Sequence, residues 1–191
     1  MTTTTLPTKE TALVQVLSFV AALSAFAGGL IHFKVIGEHP DFAVVAAGFA
    51  LMGAMQWTFA WQIVTRPSRK IFGLGGVLHA GIASLWIASR TIGLPSVDGA
   101  IAPAAVGVAD LAANILSIVV VGAAFLGLAV YRRDYPVGIP SAIADRMKIA
   151  AVGFVVFVTV PAMLAPHTHS HPTTDLAETT HDHGSSVSPG S

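Results

Sequence analysis

The sequence predicts an all-α integral membrane protein: a five-helix bundle with a cytoplasmic N-terminus, an extracytoplasmic C-terminus and a disordered histidine-rich tail. Three observations carry this. Of 191 residues, 53% are hydrophobic and only 10% charged, whereas soluble domains carry about a quarter charged residues. The apolar residues gather into five runs, each near or above the ~20 residues that cross a hydrocarbon layer ~30 Å thick. The cations collect at alternate run ends.

The first run spans Ala12 to Ile36, the second Phe42 to Val64, the third Ile71 to Ile92, the fourth Val106 to Tyr131 and the fifth Ile149 to Ala165. Helices follow because backbone groups in lipid must be satisfied within their own segment. Turn residues mark the connections: Glu38-His39-Pro40, Arg66-Pro67-Ser68 and Tyr135-Pro136-Val137-Gly138-Ile139-Pro140. The third connection is longer and holds Pro95, Gly99 and Pro103. The chain thus divides into a cytoplasmic segment 1–11, a transmembrane domain 12–166 and a tail 167–191. A cleavable leader ending near Ala25-Phe26-Ala27 is not expected, because its only leading cation, Lys9, is offset by Glu10 and the apolar run is too long.

Cations set the orientation. Lys9, Arg66, Arg69, Lys70, Arg132, Arg133, Arg146 and Lys148 fall on one side, and only Lys34 and Arg90 on the other. That places the N-terminus in the cytoplasm and points to a multi-pass protein of the plasma membrane. Small residues repeat at four-residue spacing at Ala21, Ala25 and Gly29, and again at Gly76, Ala80 and Ser84. Such stripes let helices approach closely, within the monomer or against partner subunits or a second copy. Beyond Pro166 the chain is rich in Ser, Thr, Pro, Gly and His, a composition that cannot bury enough surface to fold alone.

Composition also excludes. Formal net charge is zero, so no global field favours nucleic acid. With no cysteine there is no disulfide, thiolate ligand or cysteine nucleophile. No hydrolase triad, nucleophile elbow or HExxH motif occurs, so an enzyme is not the leading expectation.

Histidine carries the chemical signal. Seven of the eight histidines fall at span ends or beyond them on the extracytoplasmic side. His32, Glu38 and His39 form a rim of two imidazoles and a carboxylate, types that suit zinc or copper. The alternative is interfacial hydrogen bonding. His167, His169 and His171 alternate with Thr and Ser, and His181 and His183 flank Asp182. A flexible chain can wrap such imidazoles around an ion, although ordering it costs entropy.

Four further polar residues in or near the spans are candidates. Arg90 ends the third and Asp110 begins the fourth, so an interhelical ion pair is expected. The alternative is that Arg90 holds an anionic group. Asn114 lies one turn below Asp110. His79 sits mid-span, where interhelical hydrogen bonding to Gln56 or Asn114 is the simplest role. Haem is not expected, because no second histidine falls at its depth.

Gly29-Leu30-Ile31-His32, Glu38-His39, Arg66-Pro67-Ser68-Arg69, Leu85-Trp86 and Ser89-Arg90-Thr91-Ile92-Gly93-Leu94-Pro95 together resemble small multi-pass membrane proteins of actinobacterial type. The likeness covers the first half of the chain and implies a bacterial plasma-membrane protein with no transferable activity. It draws interest to His32, Glu38, His39 and Arg90.

The leading expectation is a membrane protein that binds copper or zinc on its extracytoplasmic face, with the tail capturing ions. The alternatives are an accessory subunit of a larger membrane complex, and a proton- or solute-coupled transporter using His79, Asp110 and Arg90.

Overall fold

The computed structural model describes residues 9–37, 43–96, 99–101, 106–131 and 139–165. Five helices dominate: α1 (Lys9–Ile36), α2 (Ala43–Thr65), α3 (Arg69–Thr91), α4 (Val108–Val130) and α5 (Ser141–Leu164). All five are long and apolar enough to cross a membrane. Their outward faces carry Leu51, Trp61, Val77, Phe125, Phe157 and Leu164, a surface suited to lipid rather than water.

The helices alternate in direction. Side-chain contacts fix the register: His32 stacks on Phe49, Phe26 on Trp57, Arg90 meets Asp110 and Phe72 meets Tyr131. The ends of α1, α3 and α5 therefore share one end of the bundle with the starts of α2 and α4. That end is called the histidine end below, after His32. Among the described cations only Lys34 and Arg90 lie there, while Lys9, Arg66, Arg69, Lys70, Arg146 and Lys148 lie at or near the opposite end.

α1 is the central helix. It packs against α2, α4 and α5, whereas α3 packs mainly against α4 and only lightly against α2. Near the opposite end the core joins Leu17, Ala21, Ala25, Phe59, Ile63, Phe72 and Val120. Near the histidine end it joins Ile31, Val35, Ala112, Leu116 and Val155.

Glycine–aromatic pairs set the close approaches. A Cβ added at Gly29 would lie 2.5 Å from the Trp57 ring, and one at Gly127 would lie 2.6 Å from the Phe72 ring. At Gly75 a Cβ would overlap the edge of the Phe59 ring. Each aromatic ring occupies the place that a larger residue on the facing helix would fill. The expected stripe of α1 is buried at Ala21, Ala25 and Gly29. The stripe of α3 is not: Gly76 approaches Ala124, while Ala80 and Ser84 are exposed.

α5 begins at Ser141, eight residues before the expected Ile149. Pro140 stands at its N-cap, where a fixed φ suits a helix start and a missing N–H costs nothing. Asp145, Arg146 and Lys148 interrupt the apolar run but not the helix. At its far end Lys34 Nζ donates to the carbonyl oxygens of Ala162 (3.0 Å) and Ala165 (2.9 Å). An ammonium there satisfies carbonyls that have no helical partner and opposes the negative helix end.

The third connection contains a feature not anticipated from sequence: a short antiparallel pair, β1 (Leu94–Ser96) with β2 (Gly99–Ile101), in register Leu94–Ile101. Gly93, at φ 77°, turns the chain out of α3 in a conformation that costs glycine no steric strain.

Candidate functional site

Within an apolar bundle, the unusual feature is a set of buried polar side chains. Ser18, Ser24 and His32 come from α1, Gln56 from α2, His79 from α3, and Asn114 and Ser117 from α4. Polar groups inside a membrane helix generally face the protein interior, because hydrocarbon offers them no partner.

His32 lies one turn before the end of α1. It is 7% exposed, its ring stacks on Phe49 with centroids 5.7 Å apart, and Nε2 makes no hydrogen bond to protein. The other rim residues, Glu38 and His39, lie outside the described residues, as do His167, His169, His171, His181 and His183. Among the described residues no three His, Asp or Glu side chains gather into a metal-binding group. What the rim offers within the described chain is one imidazole nitrogen, His32 Nε2, that the protein leaves without a partner.

His79 is fully buried, more than three turns before the end of α3. Its Nδ1 lies 3.0 Å from the carbonyl oxygen of Gly75, one turn earlier on the same helix. A carbonyl only accepts, so Nδ1 carries the proton and, in the neutral ring, Nε2 is a bare acceptor. Nε2 has no protein partner. The expected hydrogen bond to Gln56 or Asn114 is therefore not made: the ring is held by its own helix and by Phe59, 5.3 Å away. Gly75 serves twice, admitting Phe59 above its Cα and holding His79 by its carbonyl.

Gln56 is 1% exposed and neither carboxamide atom is bonded to protein. Its side chain lies on Gly28, where an added Cβ would approach Nε2 to 3.2 Å. Gly28 is one turn from His32 on α1, and Phe59 is one turn from Gln56 on α2. Gln56 thus sits at a level between the two histidines. The depth difference expected between His32 and His79 stands. Asn114 Oδ1, Ser117 Oγ and Ser24 Oγ are also buried without a protein partner. Beyond His79, Ile63, Phe72 and Leu17 close the bundle with apolar side chains.

Arg90 and Asp110 meet as the sequence suggested. Arg90 Nη2 donates to Asp110 Oδ2 at 2.6 Å, with both side chains partly buried. The guanidinium also lies 6.0 Å from the Trp86 ring centroid, within reach of a cation–π contact. Asn114, one turn further along α4, is buried and takes no part in the pair.

Two cavities flank the bundle. One, of about 310 Å³, lies between α1, α4 and α5 and is lined by Val20, Val119, Met147 and Phe154 with Ser24 at its wall. The other, of about 620 Å³, lies at the opposite end among Trp61, Gln62, Thr65, Arg66 and Ile71. Neither pairs a nucleophile with a base. No protein-family model, curated protein or solved structure matches the chain. Function has to be read from the polar groups themselves.

Proposed function

We propose that this is a multi-pass plasma-membrane protein that binds a transition metal, copper or zinc, at its histidine end. The cation distribution supports an extracytoplasmic position for that end. The observation that carries the reading is His32: a buried imidazole one turn from a helix end, with Nε2 unclaimed by the protein. The chain continues directly into Glu38 and His39, which supply ligands of the right chemistry. The tail histidines capture ions weakly and raise their concentration at the rim.

Isothermal titration of the full chain in detergent, with Zn²⁺ or Cu²⁺, tests this. Binding is expected, with stoichiometry falling when residues 167–191 are removed and the remaining binding lost in the His32→Ala/His39→Ala variant. Unchanged binding after both changes overturns the proposal.

A second reading has its own support. Ala80 and Ser84 leave a small-residue face of α3 uncovered, which suits a partner helix and an accessory subunit of a larger membrane complex. Co-elution of other subunits in mild detergent favours it, and a lone metal-bearing species counts against it. Transport through His79, Asp110 and Arg90 has less support, because Arg90 and Asp110 pair with each other, three turns from His79.

A further inference from the structure

We propose that His79 and Gln56 form an internal site for a small neutral hydrogen-bonding ligand, water, deep in the bundle and independent of the metal rim. The two residues come from adjacent helices and are linked through Phe59, one turn from Gln56 and in ring contact with His79. Both are at least nine-tenths buried, and both present polar atoms that the protein leaves unpaired. An unpaired polar group in a medium without water is costly, so such groups are found with a partner.

The chemistry of the unpaired atoms selects the ligand. His79 Nε2 is an acceptor, because the Gly75 carbonyl fixes the ring proton on Nδ1. Gln56 offers a donor at Nε2 and an acceptor at Oε1. The ligand must donate to one ring nitrogen while accepting or donating at a carboxamide. Water does both and is small enough for a packed interior. A metal dication meets the opposite difficulty. The buried polar side chains of α1 to α4 are serine, histidine, glutamine and asparagine, none with a permanent charge. The carboxylate of Asp110, at the start of α4, is engaged by Arg90. The cost of burying a charge grows with its square, and no counter-charge offsets it here.

The backbone hydrogen bond at His79 does resemble the orienting contact made by metal-binding histidines, so the experiment must separate the two ligands. It uses the full chain in lipid nanodiscs with ¹⁵N,¹³C-histidine, observed by solid-state NMR and assigned with the His79→Asn variant. Two results are expected. The neutral His79 ring is protonated at Nδ1, and magnetisation from water reaches it several-fold faster than it reaches Phe72 in a phenylalanine-labelled sample. Gln56→Leu slows that transfer several-fold and leaves the tautomer unchanged. An Nε2-protonated ring, or a His79 as dry as Phe72, overturns the proposal. So does a shift of the Nε2 signal on adding stoichiometric Zn²⁺, which assigns the site to metal. The tautomer and water transfer are read on the unmodified protein, so they stand whether or not the Gln56 variant folds.

Discussion

Arg90 Nη2 donates to Asp110 Oδ2 across 2.6 Å, tying the last turn of α3 to the first turn of α4 over the connection that holds β1 and β2. The carboxylate also occupies the first turn of α4, where the helix dipole favours negative charge. Asp110→Ala removes both interactions and is expected to cost about 1.5–3 kcal/mol, the range for a hydrogen bond to a charged group. Thermal unfolding in detergent reads this as a lower Tm. The Arg90→Asp/Asp110→Arg exchange restores the pair but opposes the dipole, so less than the full loss returns. Complete recovery would show that the dipole contributes nothing.

Lys34 ties α1 to the end of α5 through two carbonyl oxygens. Lys34→Met keeps most of the stem but leaves those carbonyls unsatisfied, at a cost of about 1–3 kcal/mol. Hydrogen exchange should rise at the last turn of α5, around Ala162 to Ala165, and stay unchanged at α3. Uniform acceleration across the bundle would contradict a local clasp.

Gly75→Ala drives a methyl group into the ring of Phe59. Overpacking of this kind costs about 1–3 kcal/mol. Because Phe59 is the shared neighbour, the loss and that of Phe59→Leu should not add: the double variant is expected to be more stable than the sum of the singles predicts. Additive losses in Tm would show that the two positions do not meet.

Metal affinity at the histidine end should depend on pH through the tail. Imidazoles bind metal as neutral bases, and the free side chain has a pKa of ~6.5. Zn²⁺ binding by the full chain should therefore weaken as pH falls from ~7.5 to ~5.5. A flat profile over that interval would mean that imidazoles are not the ligands.

Much of the architecture is legible in the sequence because lipid imposes length and polarity directly. The expected runs for α2, α3 and α4 fall within a few residues of the helices. The start of α5 was hidden because Asp145, Arg146 and Lys148 end an apolar run without ending a helix. The neighbours of α1 were illegible for a different reason. The stripe Ala21, Ala25 and Gly29 marks one buried face, but a helix that is apolar all round does not say which helices cover it or its other faces. The ion pair was readable from Arg90 and Asp110 at facing span ends. The orientation of His79 was not, because it depends on a ring proton held by Gly75 and on the position of Phe59.

The central place of α1 has a consequence for how the protein is made. As the chain leaves the ribosome α1 meets α2 almost at once, but its partner α4 follows about 100 residues later, roughly 5–20 s at ordinary translation rates. During that interval the face of α1 meant for Ala112, Leu116 and Val120 has no permanent neighbour, and with it wait His32 and Ser24. Membrane insertion must shelter a half-built helical pair that already holds polar groups, and the α1 face stays open at this end until the Lys34 clasp closes on α5.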